Sequence, residues 1–235
     1  MIDFSKIKEL TVDGVELKSL AINGVQVWTA APPGRIPEEY QEVAYVQAAA
    51  TVKAYINLGI KFDTKARVLM NACAMDKTTT AYPFGAAENS GVLRCMASIP
   101  ANAAASIYGS KGNAYIITTV DFIPEEDTEY ELVWEPGNLM ASNKSEGETN
   151  KNVNQGSYTM TSDLYLFAQN YNGSPRFGGQ RRISKFQYFD KTDTMVCDLV
   201  PCYRKSDMVV GMYDTVRKLF LTNAGSGAFT KGADV

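Results

Sequence analysis

Residues Asp163-Leu-Tyr-Leu-Phe-Ala-Gln-Asn-Tyr-Asn-Gly-Ser-Pro-Arg-Phe-Gly-Gly-Gln-Arg-Arg-Ile-Ser-Lys-Phe-Gln-Tyr-Phe189 carry the plainest signal of the fold. Leu164 and Leu166 share one side, Tyr165 and Phe167 the other, and Phe186 and Tyr188 keep the same two-residue rhythm. Successive side chains of a strand point to opposite faces, so this rhythm predicts strands. Asn170-Tyr-Asn-Gly173 and Gly178-Gly179 interrupt it with residues whose backbones suit turns. The pattern extends outward through Ile56, Leu58 and Ile60, then Ile116, Thr118 and Val120, then Tyr130, Leu132 and Trp134. Glu88-Asn-Ser-Gly91, Gly109-Ser-Lys-Gly-Asn113 and Pro136-Gly-Asn138 break it again. Short alternating runs separated by Gly/Asn/Pro clusters predict an all-β, antiparallel β-sandwich. No stretch reads as a long amphipathic helix. Residues 141–157 are polar and lack aromatics, which predicts an exposed loop with little fixed structure.

The chain has 235 residues, 45% hydrophobic and 21% charged, enough to bury a sizeable core and unlike a disordered segment. With 13 Tyr and 10 Phe the composition leans toward strands. A net charge of −3 gives no electrostatic reason to expect nucleic acid, and no window reaches the ~18 apolar residues of a membrane span. Met1-Ile-Asp-Phe-Ser-Lys-Ile-Lys-Glu9 has no apolar signal core, so synthesis in the cytosol is expected. Cys73, Cys95, Cys197 and Cys202 form no C-x-x-C pair, and there is no histidine. Free buried thiols are the expectation, with no metal and no cofactor.

Residues 1–30 contain two offset copies of one pattern, Leu10-Thr-Val-Asp-Gly-Val-Glu-Leu17 and Leu20-Ala-Ile-Asn-Gly-Val-Gln-Val27. Asp-Gly and Asn-Gly suit two-residue hairpin turns, because both central positions need positive φ. Such turns set Val12 opposite Val15, Leu10 opposite Leu17, Ile22 opposite Val25 and Leu20 opposite Val27. A lone hairpin is marginal in water, so this apolar face must dock somewhere. It either adds strands to the main domain or forms a β-hairpin attachment module. Ala30-Ala-Pro-Pro-Gly-Arg-Ile-Pro37 is a stiff connector and favours the module. The expected organisation is a module at 1–30, a Pro-rich linker at 31–37 and a sandwich at 38–235.

The sandwich closes with Leu199-Val-Pro-Cys-Tyr-Arg-Lys-Ser-Asp-Met-Val-Val-Gly-Met-Tyr-Asp214 and Phe220-Leu-Thr-Asn-Ala-Gly-Ser-Gly227. Together with Ile36-Pro-Glu-Glu-Tyr-Gln-Glu-Val-Ala-Tyr-Val-Gln47, Ala54-Tyr-Ile-Asn-Leu-Gly-Ile60 and the 163–189 stretch, these segments resemble concanavalin A-like (laminin G-like) sandwich domains of bacterial viruses and prophages. Val25-Gln-Val-Trp28 likewise ends a leader that is similar to those on proteins of tailed phages. The resemblance implies a jelly roll in which Pro201, Gly211, Tyr213 and Asp214 shape the closing strands. It also implies that Asn223-Ala-Gly225 is a tight loop requiring a positive φ. The setting it implies is a virion, with the 1–30 module (Leu10, Val12, Val15, Leu17, Leu20, Ile22, Val25, Val27 and Trp28) joined to other virion proteins. A homo-oligomer, trimer or higher, follows from the symmetry of such positions.

Sandwiches of this shape include glycoside hydrolases, which need two carboxylates flanking the scissile bond. Glu125-Glu-Asp-Thr-Glu129 holds the spacing, but Glu126 and Thr128 stand where apolar partners belong, so it reads as a solvated turn. Without histidine there is no Ser-His or Cys-His dyad. Asp190, Asp193 and Asp207 are the calcium candidates, and none sits in a dense ligand string. Sugar recognition combines aromatic rings with amide and guanidinium hydrogen bonds. Tyr171, Asn170, Asn172, Arg176 and Phe177 offer these in one segment, and Tyr82 and Phe84 offer a second aromatic pair. The competing reading is that these aromatics cap the sandwich. The expected function is a non-enzymatic virion structural protein whose lectin-like domain adheres to host-surface or mucus glycans, at the tail tip, fibre or baseplate. Capsid decoration is the alternative within that class, and a polysaccharide hydrolase the alternative outside it.

Overall fold

The computed structural model describes residues 11–12, 15–16, 19–22, 25–29, 35–49, 53–75, 78–88, 93–99, 102–104, 106–111, 114–119, 123, 125–135, 138–143, 148–153, 156, 158–176 and 180–235. Every regular element among them is a strand. First come β1 (Thr11–Val12), β2 (Val15–Glu16), β3 (Ser19–Ile22) and β4 (Val25–Thr29). Then follow β5 (Tyr40–Glu42), β6 (Val46–Ala48), β7 (Ile56–Asp63), β8 (Arg67–Ala74), β9 (Ala81–Glu88) and β10 (Leu93–Ile99). The middle holds β11 (Ser106–Lys111), β12 (Ala114–Thr119), β13 (Tyr130–Glu135), β14 (Asn138–Asn143), β15 (Glu148–Val153) and β16 (Thr159–Leu166). Last are β17 (Gln169–Tyr171), β18 (Ser174–Arg176), β19 (Arg181–Phe189), β20 (Met195–Arg204), β21 (Val209–Asp214), β22 (Leu219–Thr222) and β23 (Thr230–Lys231). The chain divides into two compact units, Met1–Glu38 and Glu39–Val235.

In the first unit β1 pairs with β2, setting Val12 opposite Val15, and β3 pairs with β4, setting Ile22 opposite Val25. Leu20 stands opposite Trp28 instead of Val27. The register shifts between Leu20 and Ala21, so β4 carries an extra residue there, as in a β-bulge, which turn arithmetic alone does not anticipate. Leu10, Leu17 and both turn dipeptides lie outside the described residues.

The second unit has two large sheets. One runs β12-β11-β10-β9-β16-β7 and carries β17 and β18; the other runs β15-β14-β13-β8-β19-β20-β21-β22 and carries β5, β6 and β23. Among the described residues pairing is antiparallel, save for β17 on β9. The sheets face each other across one core. Phe62 of β7 meets Trp134 of β13 edge-on at 4.6 Å, and Phe84 of β9 meets Phe186 of β19 at 6.0 Å. Ile56, Leu58, Leu164 and Leu166 fill the first inner face; Val68, Met70, Leu132 and Leu199 fill the second. Each such side chain contributes about 1.5–3 kcal/mol on burial. The result is all-β and sandwich-like.

Two expectations about the strands of this unit change. Residues 138–143 and 148–153 form β14 and β15, which pair over six positions, so much of the polar 141–157 segment is strand. A sheet-edge ribbon is held by backbone pairing, and charged or polar residues there block further strand addition, so polarity does not exclude a strand. Phe167 does not share a face with Tyr165. Tyr165 stacks on Tyr55 at 4.5 Å, whereas Phe167 joins the core beside Phe229.

The loop after β22 is fastened to the chain before β7. Asn223 Oδ1 accepts from Tyr55 N and Gly225 N, and Ala224 N and Ser226 N donate to the carbonyls of Tyr55 and Lys53. The positive φ in this loop belongs to Gly227, at 93°, and not to Asn223 or Gly225. Gly225 is required for another reason: a Cβ there would lie 2.0 Å from the Lys53 carbonyl oxygen. Gly225→Ala is therefore expected to lower stability by about 1–3 kcal/mol, read as a lower thermal midpoint.

The four cysteines are free and buried. Burial pushes the Cys73 thiol up to about 11 and Cys202 to about 12, and raises Cys95 and Cys197 as well. These thiols stay protonated and unreactive at neutral pH.

Candidate binding site

The outer face of the first sheet carries a depression of about 320 Å³, within the size range of small-ligand pockets. Its floor follows from strand alternation. Cys95, Ala97 and Ile99 of β10 point into the core, which turns Met96 and Ser98 outward. Met96 pairs across the ladder with Tyr108 of β11 on one side and Gly85 of β9 on the other. A register shift between Ala97 and Ile99 accompanies Tyr82 at the mouth of β9, and Thr80 completes this edge.

The wall is the β17–β18 hairpin, which brings Gln169, Tyr171 and Arg176. Phe167 is the pivot that sets it there. Its φ of 64° is costly for a bulky residue, and three contacts hold it. Its N–H donates to the Pro83 carbonyl at 2.8 Å, its own carbonyl accepts from Arg181 Nε, and its ring packs 4.7 Å from Phe229. Burial lowers the fully enclosed Arg181 to about 10, which leaves it charged at neutral pH. Beyond the pivot, β17 runs parallel to β9, with Asn170 opposite Ala86 and Tyr171 opposite Ala87. The hairpin turn is Asn172-Gly173, both at positive φ (49° and 84°), as type I′ turns require. Below it, Glu88 anchors β16 by accepting from Thr161 Oγ1 and Ser162 N. Burial opposes its charge, but these hydrogen bonds prevail and hold the carboxyl below its usual value.

Within the pocket, the Arg176 guanidinium lies 3.4 Å from the centre of the Tyr171 ring, a cation–π contact. Gln169 Nε2 donates to the Met96 sulfur at 2.9 Å. Aromatic faces, hydroxyls, an amide and a guanidinium thus share one small concavity, and among the described residues no carboxylate lines it.

Of the residues expected to touch sugar, Tyr82, Tyr171 and Arg176 come together here although the sequence presents them in two separate segments. Phe84 is turned into the core. Asn170 is buried and its amide is already engaged: Oδ1 accepts from Gly173 N and Nδ2 donates to the Asp163 carbonyl. Asn172 is exposed at the turn, and Phe177 lies outside the described residues. Sequence reading missed Thr80, Met96, Ser98 and Tyr108, and it quoted Gln169 without selecting it. Outward alternation on β10 and β11 was the available signal.

The acidic candidates have other work. Glu129 accepts from Asn71 Nδ2 at 2.9 Å and from Ser184 Oγ, and Glu125 and Glu126 are exposed beside the turn at Asp127. Asp190 caps its own turn through Thr192 and Thr194, Asp193 pairs with Arg67 at 2.7 Å, and Asp207 pairs with Arg204 at 2.7 Å. Among the described residues no group of three or more His, Cys, Asp or Glu could hold a metal, and no helix is long and apolar enough to cross a membrane. A second concavity of about 430 Å³, near Met208, Val210 and Phe229, is largely apolar. No protein-family model matches the chain, and no curated protein matches it significantly.

Proposed function

We propose that the chain is a non-enzymatic, glycan-binding structural protein of a tailed phage or prophage particle. In this reading Glu39–Val235 is a concanavalin A-like jelly roll, and residues 1–30 are a hairpin module that anchors it to other virion proteins. The observation that carries the binding role is the tyrosine-lined depression on an outer sheet face. Tyrosine rings pack against the apolar face of a pyranose, while hydroxyl and amide groups take its hydroxyls. Cleavage would need two opposed carboxylates, and the described residues of this lining supply none. The virion setting is supported by the segments that resemble phage sandwich domains. Single-site affinity for sugars is weak, so many copies acting together, in a trimer or larger assembly, supply useful adhesion to host-surface or mucus glycans.

Tyr82→Ala is expected to weaken binding on a glycan panel about tenfold, the loss of about 1–1.5 kcal/mol of aromatic contact, with an unchanged melting curve. Unaltered binding would oppose the assignment of this pocket. Antibody labelling of intact particles under the electron microscope, with label at the tail, would support the placement; label on the capsid or on no particle would refute it.

A further inference from the structure

Arg176 differs from the other arginines with described ion pairs. Arg67, Arg182, Arg204 and Arg217 each meet an aspartate, at 2.7, 2.6, 2.7 and 2.5 Å. Arg176 meets only the Tyr171 ring, and among the described residues no acceptor engages its N–H donors. It nevertheless lines the pocket. A guanidinium stacked on a ring has one face covered and its in-plane fork of donors free, the geometry that matches a carboxylate with two parallel hydrogen bonds. Stacking also fixes the long side chain in advance, so less freedom is lost when a ligand arrives. The net charge of −3 offers no general attraction for anions, so any preference for them must be local to this side chain.

Resting on the glycan reading above, we infer that the pocket selects acidic saccharides, sugars of the sialic or uronic acid class. Arg176 grips the carboxylate, and the sugar ring lies among Tyr82, Tyr108 and Tyr171. The Ser98 hydroxyl and the Gln169 amide oxygen, the latter with no protein donor among the described residues, face the sugar hydroxyls.

The test is calorimetric or ligand-observed NMR titration of the full chain with four probes. Sialyllactose and a glucuronic acid-containing disaccharide are the acidic sugars, lactose is the neutral match, and sodium acetate supplies the charge without the ring. The acidic sugars are expected to bind at least about tenfold tighter than lactose, with acetate far weaker. Arg176→Gln should weaken the acidic sugars about tenfold to a hundredfold, at least about tenfold more than it weakens lactose. Arg176 is exposed, so the variant should fold, and its melting curve verifies this. Lactose binding as tightly as the acidic sugars, or insensitivity to Arg176→Gln while Tyr82→Ala still weakens binding, would overturn the acidic preference and leave the glycan site standing. Acetate binding as tightly as the sugars would reduce the pocket to a bare anion site. No binding of any sugar would sink both readings.

Discussion

Replacing Asp214 by alanine is expected to cost about 3–5 kcal/mol of stability, as for other broken buried ion pairs. Asp214 is completely buried at the end of β21. Its Oδ1 accepts from Val216 N at 3.0 Å and Arg217 N at 3.1 Å, and its Oδ2 accepts from Arg217 Nε. Arg217 in turn donates to the Leu58 carbonyl of the facing sheet at 2.7 Å. Losing the carboxylate strands these donors, along with Asp198 N at 3.4 Å, and releases the arginine that bridges the layers. The same group makes a pH signature. Burial alone would raise the Asp214 carboxyl, but hydrogen bonds from the Arg217 side chain and backbone and from Cys197 outweigh it and hold the group below the usual aspartate range. A depressed folded value means the contribution is complete above the unfolded value of about 4 and disappears as pH falls through the folded one. Urea midpoints measured against pH should therefore show a wild-type advantage over Asp214→Ala at neutral pH that shrinks below about pH 4. A pH-independent difference would mean that packing, not charge, makes the contribution.

Phe62→Ala is expected to lose about 3–5 kcal/mol and roughly 6–20 °C in thermal midpoint. Phe62 belongs to one sheet and touches Trp134 and Tyr188 of the other, at 4.6 and 6.2 Å. The indole N–H of Trp134 has no acceptor among the described residues, so packing alone fixes that ring. Tyr188 adds one directional link, its hydroxyl accepting from Asp63 N at 3.3 Å. Removing the phenyl ring opens a void where the two layers meet. Loss of near-ultraviolet circular dichroism together with the lower midpoint would confirm that the sheets are coupled there. A cost below about 1 kcal/mol would contradict the close packing of the interlayer contact.

Strand alternation made the architecture legible because each inner face needs apolar residues at every second position, as at Ile56, Leu58, Leu132 and Trp134. It failed where other forces set the geometry. β14 and β15 are held by ladder pairing, so their polar sequence gave no apolar rhythm to detect. At Phe167 a positive φ breaks the alternation and swings the ring inward, against what its neighbours predict. The pocket was half legible. Tyr171 and Arg176 lie close in sequence, but their partnership with Tyr82 arises from the parallel pairing of β17 with β9, a long-range register that local sequence does not encode. Asn170 looked like a free amide because its role in fastening the turn depends on the fold of the hairpin.

The last strand, β23, lies beside β6, with Thr230 opposite Gln47, and Val235 N reaches the Glu42 carbonyl at 3.0 Å. First and last segments of the Glu39–Val235 unit are therefore stitched together at one corner, on the layer away from the pocket. Covalent order and spatial order become interchangeable at that seam. A circularly rewired gene for this unit, joining position 235 to position 39 and cutting the chain at an exposed turn such as Thr192, would retain every described ladder of the Glu39–Val235 unit. A reporter fused at Val235 would leave from the corner where Glu42 lies, on the layer away from the depression lined by Arg176.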